Sequence, residues 1–205
     1  MDADADLYRA WCGGDRRAGE RLIDRHLSAI ARFFANKCVA AADVEDLVAT
    51  TFERCAKSLG RLERPDRFRS YLFGIAANVL RDAIRKRRPT PMDDLERLCV
   101  HDLGPSPSVV AAERAEQRLL LAGLRAIPIE HQLVLELGVF EQMSRAEVAE
   151  VLELPEGTVA SRLRRAHTLL EQQIRRLAAS PQLVHSTLHG LADWAAQIRQ
   201  HLDRS

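Results

Sequence analysis

Residues 144–177 constrain the fold of this 205-residue chain more than any other segment. Ser144 precedes an apolar pattern of helical spacing, and Glu147 follows it by three residues. In that arrangement a hydroxyl and a carboxylate cap two free amides at a helix start. We therefore predict a first helix over about 145–152. A break containing proline and glycine follows at 154–158 and ends it.

A second helix is predicted after the break. Its inward stripe consists of Val159, Leu163, Ala166, Leu170 and Ile174, and Ser161, Arg162 and Arg165 lie on its other faces. The pair predicts a helix-turn-helix, which places its second helix in a DNA groove. A helical bundle with a solvated charged face would show the same pattern, so this segment alone leaves both interpretations open.

Composition predicts an all-α chain. Hydrophobic residues make up 46% of it, helix formers dominate, and no stretch alternates with period two. The net charge of +1 means that any binding of nucleic acid must depend on local basic clusters. The amino terminus is acidic, and no apolar run approaches the length of a membrane span. We therefore expect a cytoplasmic protein without membrane insertion.

The reactive residue types do not predict an enzyme. No cysteine forms a C-x-x-C pair, so reduced thiols are expected at Cys12, Cys38, Cys55 and Cys99. His185 and His189 stand four apart but lack a third ligand, so we expect neither a metal nor a cofactor. No nucleophile–base pair or phosphate-binding glycine loop is recognisable.

Prolines divide the chain. The expected units are a helical domain over 1–88, an acidic proline-containing linker over 89–110, a second helical domain over 111–178, and a C-terminal extension over 179–205. The extension carries an apolar stripe of helical spacing: Val184, Leu188, Leu191, Trp194, Ile198 and Leu202. The stripe is expected to pack on the protein itself or to bind a regulatory partner.

The first domain has its own basic cluster. A helix predicted over 70–88 has a broad apolar face and ends in the cations 85–88. Cations at a helix C-terminus interact favourably with its dipole, but four of them exceed what capping requires. Contact with phosphates and a merely solvated helix end are both compatible with this cluster.

Several motifs in a fixed order carry a family resemblance. They are DVEDLVATTFERC, FRSYLFGIAANVLRDAIRKRR, IPIEHQLVLEL and SRAEVAEVLELPEGTVASRLRRA. Over about 7–177 the chain resembles a bacterial RNA polymerase sigma factor of the small extracytoplasmic-function (ECF) type. The resemblance implies two small helical domains joined by a flexible linker, one for each promoter element. It also implies a factor that binds core RNA polymerase, directs it to promoter DNA and assists melting.

The resemblance assigns roles in the first domain. It implies polymerase contacts at Asp46, Leu47, Thr51 and Phe52. It makes 58–68 the loop that captures a flipped base of the minus-ten element. The residues expected at that element are Arg67, Phe68, Asn78, Arg81, Arg85 and Arg88. For Phe68 and Tyr71, stacking on a base and packing in the core both stay open.

In the second domain the resemblance implies contacts to the minus-thirty-five element. The candidates are Thr158, Ser161, Arg162 and Arg165. Ala160 stands where the family commonly has a basic residue, so the promoter sequence that is read should differ. The linker, acidic at 93, 94, 96 and 102, resembles the family's connector in the polymerase cleft, although a plain disordered linker has the same composition.

Two questions stay open at this point. A helix-turn-helix regulator that binds duplex DNA without being a polymerase subunit is the alternative function. The second question is whether a separate anti-sigma protein or the C-terminal extension itself holds the factor inactive.

Overall fold

The computed structural model describes residues 3–37, 41–87, 114–191 and 193. Within these ranges the chain is helical and has no strand, which confirms the all-α prediction. The first unit consists of α1 (Ala3–Cys12), α2 (Arg16–Ala35), α3 (Ala41–Lys57) and α4 (Phe68–Arg87). The second consists of α5 (Ala115–Arg125), α6 (Ile129–Leu135), α7 (Arg145–Leu152), α8 (Glu156–Leu177) and α9 (Pro181–His189). The predictions for Arg88, the linker, Trp194, Ile198 and Leu202 lie outside the described residues.

The first unit is built around α4. A short 3-10 turn, Pro65–Arg67, leads into this helix, which begins two residues before its predicted start. Its apolar side chains meet the other three helices in a core rich in aromatic rings. The Phe33 ring lies edge-on to Phe73, with centroids 5.7 Å apart. α1 and α2 approach so closely that a Cβ on Gly19 would lie 2.7 Å from the Trp11 ring.

The second unit contains the predicted helix-turn-helix. α7 spans the predicted residues, and Ser144 and Glu147 form the predicted capping box: the Glu147 amide donates to Ser144 Oγ (3.2 Å), and the Ser144 amide donates to Glu147 Oε2 (2.8 Å). Glu153 ends α7 in the left-handed conformation, with φ of 56°. The predicted stripe of α8 is confirmed, since all its members except the half-buried Leu163 are buried.

The helix after α6 is irregular. Residues Glu136–Phe140 form a π-helical turn, in which the Glu141 amide donates to the Glu136 carbonyl at 2.8 Å. A π-turn is an α-helix with one residue inserted, and it brings residues five apart onto the same side. Glu136 and Glu141 therefore share a face.

The described part of the C-terminal extension packs on the second unit. Ser180 caps α9 by accepting from the Leu183 amide at 3.2 Å. Thr187 is buried, and Ser186 Oγ donates to Glu116 Oε1 of α5 at 3.1 Å. Of the two alternatives for this stripe, its described portion shows packing on the protein itself.

The two units pack against each other through α4 and α7. At their crossing a Cβ added to Gly74 would lie 3.6 Å from the Val151 carbonyl oxygen. Buried apolar residues of both units join into one hydrophobic core. The described residues therefore form a closed arrangement of the two units.

Candidate nucleic-acid interface

The N-terminal end of α8 is open to solvent. Pro155 precedes the helix without a side-chain cap, and nothing lies within 4 Å of where a Cβ on Gly157 would sit. Thr158 and Ala160 are half-buried in the first turns, whereas Ser161 is exposed and donates to the Thr158 carbonyl at 3.0 Å. Free amides and the helix dipole at such an end attract phosphate.

The arginines of α8 are in two different situations. Arg165 and its neighbour Arg164 are exposed, and neither forms an ion pair among the residues that the structure describes. Arg162 is turned towards α6 of the same unit, where its Nη1 lies 3.1 Å from Glu130 Oε2. The structure thus leaves one predicted arginine available to DNA and engages the other.

Arg81 of α4 binds the same carboxylate. Its Nε and Nη2 each lie 3.2 Å from a different oxygen of Glu130, a two-pronged pair that orients the guanidinium. Its Nη1 donates to Oδ1 of the exposed Asn78 at 3.2 Å. Glu130 therefore joins one predicted minus-ten residue to one predicted minus-thirty-five residue.

The other minus-ten candidates among the described surface residues lie at the two ends of the same helix. Arg85 is exposed at the end of α4 and pairs with Asp82 at 3.3 Å. Arg67 is half-buried in the 3-10 turn, with its Nη1 3.8 Å from Glu150 of α7. Of these two cations, Arg67 lies next to the second unit, and Arg85 pairs within its own helix.

Phe68 lies in the core. It is 1% exposed, and its ring packs on Tyr8 and on His26, with centroids 5.5 Å away in each case. A base cannot reach a ring that is covered on this scale. We therefore correct our expectation for Phe68: of the alternatives that the sequence left open, this structure shows the core.

The loop over residues 58–64 is held at two points. Tyr8 Oη accepts from the amides of Gly60 (3.0 Å) and Leu62 (3.4 Å), and Tyr71 Oη donates to Ser58 Oγ (2.5 Å). Burial raises the pKa of the Tyr8 phenol, so its hydroxyl stays neutral. The shape of the loop is therefore set partly by α1.

Of the four candidates for polymerase contact, two lie at the surface and two are buried. On α3 Asp46 is exposed and Leu47 is half-buried. Thr51 is fully buried and donates to the Leu47 carbonyl at 2.7 Å, and Phe52 is 8% exposed. Thr51 and Phe52 support α3 from within, so only Asp46 and Leu47 are presented to a partner.

Sequence reasoning missed an acidic strip on the second unit, formed by Glu130, Glu136 and Glu141. Each of these residues is 6–7% exposed. Charges inside an apolar segment such as 127–141 must find partners, and that rule was the available signal. The sequence could not show that the partners lie in the other domain.

Two residues that stabilise the helices around the site, Glu147 and His26, have shifted pKa values. The Ser144 hydroxyl and then its amide hold the pKa of Glu147 below its usual value, which keeps the α7 cap charged. Burial lowers the pKa of His26 even though its Nε2 lies 2.7 Å from Asp4 Oδ2.

In the described part of the chain no group of three metal-binding side chains could hold an ion. No helix described there could cross a membrane.

Comparison with known families identifies both units. The family model for Sigma-70 region 2 matches residues 22–90, and the one for Sigma-70 region 4 matches residues 117–170. These are the two parts of an RNA polymerase sigma factor that lie in the two helical units described above.

Curated relatives narrow the class. The ECF RNA polymerase sigma factor SigW of Bacillus subtilis is 25% identical over 178 residues, which are 80% of this chain and 92% of SigW. The RNA polymerase sigma factor CnrH of Cupriavidus metallidurans is 32% identical over 178 residues, 82% of this chain and 93% of CnrH. A solved structure of CnrH in complex with the cytosolic domain of CnrY has a TM-score of 0.62 and 28% identity, and covers 86% of this chain and 100% of that chain.

The chain belongs to the ECF RNA polymerase sigma factors. It directs RNA polymerase to promoters, and the alternative of a regulator acting without the polymerase is not favoured.

Proposed function

We propose that this factor holds a promoter at two points through α4 and α8 while α3 contacts core polymerase. The exposed Asp46 and half-buried Leu47 are the polymerase contacts. Polymerase carries both DNA-reading units to one promoter, so each contact needs only modest affinity. As a binding subunit it makes no covalent bond itself, and it acts in the cytoplasm, where polymerase and chromosome are.

The proposed minus-ten residues are those of the first unit that reach its surface. Asn78, Arg81 and Arg85 lie along α4, and Arg67 precedes it. The loop over 58–64, held by Tyr8 and Tyr71, is the proposed site of base capture. Because Phe68, Thr51 and Phe52 are buried, we leave them out of the proposed contacts.

The proposed minus-thirty-five residues are Thr158, Ser161, Arg162 and Arg165. The observation that carries this assignment is the open, uncapped start of α8 within the segment that matches region 4. Arginine bound to guanine would specify sequence, whereas arginine on phosphate would only position the helix. Ala160 removes one cation from this surface and alters the sequence that is read.

A regulatory protein partner is also proposed. The relative CnrH has been solved in complex with the cytosolic domain of CnrY, and this chain shares its fold over most of its length. An anti-sigma protein of this kind would hold the factor off polymerase.

Run-off transcription with core polymerase tests the proposed function. The template is a promoter library randomised at the two elements, and productive templates are identified by sequencing. The wild-type chain should select one pair of motifs, and Arg165→Ala should relax selection only at the upstream motif. The matched control Arg175→Ala removes a cation from the far end of α8, paired there with Glu171, and should change neither motif. If core polymerase is neither bound nor redirected, the proposal fails.

A further inference from the structure

The acidic strip binds cations of the first unit at every one of its members. Glu130 binds Arg81, Glu136 binds the fully buried Nζ of Lys37, and Glu141 binds both Arg32 (3.2 Å) and Arg69 (3.0 Å). The Glu141 main-chain carbonyl also accepts from Arg69 Nη2 at 2.6 Å. These ion pairs join the two units where they meet.

The local fold of the second unit arranges the strip for this contact. On a regular α-helix, residues five apart diverge around the axis. The π-turn at Glu136–Phe140 instead aligns Glu136 with Glu141, so both face the first unit. Glu130 lies in the first turn of α6, where the helix dipole favours a carboxylate.

Glu130 has a further property, because it bridges two helices that read DNA. Its oxygens are bound by Arg81 of α4 and by Arg162 of α8, whose side chains are only 16% and 17% exposed. A guanidinium binds a carboxylate and a phosphate with the same forked geometry. The carboxylate therefore occupies the guanidinium edges that promoter phosphates or bases would need.

We infer that the acidic strip is an interaction surface for the basic face of the chain's own first unit, and that this closed contact keeps the factor off DNA. The assignment of Arg81 and Arg162 to DNA rests on the proposed function, whereas the closed contact rests on the ion pairs alone. Separation of the units frees Arg81, whereas Arg162 lies in the same unit as Glu130 and stays beside it.

The closed contact is suited to reversal. Burying an ion pair costs desolvation that its Coulomb attraction only partly offsets, so separating two such partners into water is inexpensive. Removing one partner alone leaves the other buried without its counter-charge, which favours opening. A polymerase surface that binds the separated units can therefore shift the equilibrium.

The first test uses Glu130→Gln in the full chain without polymerase. Binding to a mixed-sequence 40-base-pair duplex is measured over a salt series, and compactness by small-angle X-ray scattering. E130Q should bind several-fold more tightly than the wild type, with a salt slope steeper by about one for each arginine freed. Its radius of gyration should exceed the ~17 Å expected of a compact chain of this length. Glu171→Gln is the matched control, since it removes the same charge from an exposed pair within α8 and should cause neither change beyond its charge effect.

A second variant opens the contact without altering charge. Gly74→Gln places a long side chain where α4 crosses α7, and Gly74→Ala adds only a Cβ in ordinary contact with Val151. G74Q should expand the chain and tighten DNA binding, though less than E130Q because Glu130 still pairs with Arg162. G74A should behave as the wild type.

Two results would overturn the inference. One is unchanged scattering in both E130Q and G74Q; the other is expansion without tighter DNA binding than in E171Q and G74A. Capture of core polymerase by the wild-type chain is measured in parallel. Its absence would count against the proposed function and leave the scattering result on the closed contact intact.

Discussion

The two helices that carry the proposed DNA contacts, α4 and α8, have opposite environments. α4 is buried on several sides by α1, α2, α3 and α7, and of its described side chains only Asn78, Arg85 and Lys86 are exposed. α8 buries one narrow stripe, Val159, Ala166, Leu170 and Ile174, and its other side chains are half-buried or exposed. A helix that is apolar all round is a core element, whereas an amphipathic helix is a surface element.

The difference shows how each helix can be used. α8 can enter a groove without losing any contact on its buried stripe. α4 supports the first unit and the junction with α7, so a partner that takes the place of α7 must cover the apolar surface left behind. Substitutions in α4 should therefore affect folding first, and substitutions in α8 should affect binding first.

Phe68→Ala should give the largest effect. It removes a ring that is 1% exposed, so the free energy of unfolding should fall by about 3–5 kcal/mol in urea denaturation. Phe68→Leu keeps most of the volume and should cost less than about 1.5 kcal/mol. Arg165→Ala on α8 should stay within about 0.5 kcal/mol of the wild type. Normal stability of F68A combined with lost promoter melting would mean that the ring acts on DNA after all.

The next largest effect should be a difference in DNA binding between variants of the two arginines of α8, Arg162 and Arg165. Arg165→Ala should weaken binding of the free chain to duplex DNA by about 1–3 kcal/mol if it contacts a base, and should flatten the salt slope by about one if it contacts phosphate. Arg162→Ala should weaken binding of the free chain to duplex DNA less, because Glu130 already pairs with Arg162 in the free chain. The same order is expected in the polymerase complex, because Arg162 and Glu130 lie in one unit and stay together when the units separate. Equal losses in the free chain would show that Arg162 is already available there.

Tyr8→Phe should have a smaller effect, confined to the first unit. It removes the acceptor for the Gly60 and Leu62 amides but keeps the ring against Phe68. The free energy of unfolding should fall by about 1–2 kcal/mol. Hydrogen exchange at those two amides should accelerate, while exchange in α8 should not change. Unaltered exchange at Gly60 would show that α1 does not hold the loop.

The smallest expected effect is a pH dependence of stability caused by His26, whose ring packs on Phe68 at the start of α4. Burial lowers the pKa of His26, so the unfolded chain binds a proton more readily than the folded one. Stability should therefore decline as pH falls below about 6.5, the ordinary value for histidine. Asp4 opposes this shift, whereas Arg69 and Arg25 reinforce it. Urea unfolding at several pH values should show the decline, and His26→Gln should remove that component.

Local signals explain which features the sequence predicted correctly. The cap at Ser144, the break before α8 and the stripe of α8 depend on residues a few positions apart, and all of them are present. Phe68 was ambiguous because an aromatic residue before a basic helix suits a core and a base equally well. Only the rings of Tyr8 and His26, distant in sequence, decide between the two.

The pairing of the units could not be predicted in this way. Glu130 lies 49 residues from Arg81, and Glu141 lies 109 residues from Arg32. No periodicity connects such positions. The π-turn is equally hidden, because its inserted residue leaves the segment apolar and helical in pattern.

That π-turn lets this segment absorb a change in chain length. Deleting one residue such as Gly138 would convert the turn into ordinary α-helix, in which Glu136 and Glu141 become four residues apart and still share a face. A chain that is one residue shorter at this point can therefore present the same two carboxylates to the same neighbour.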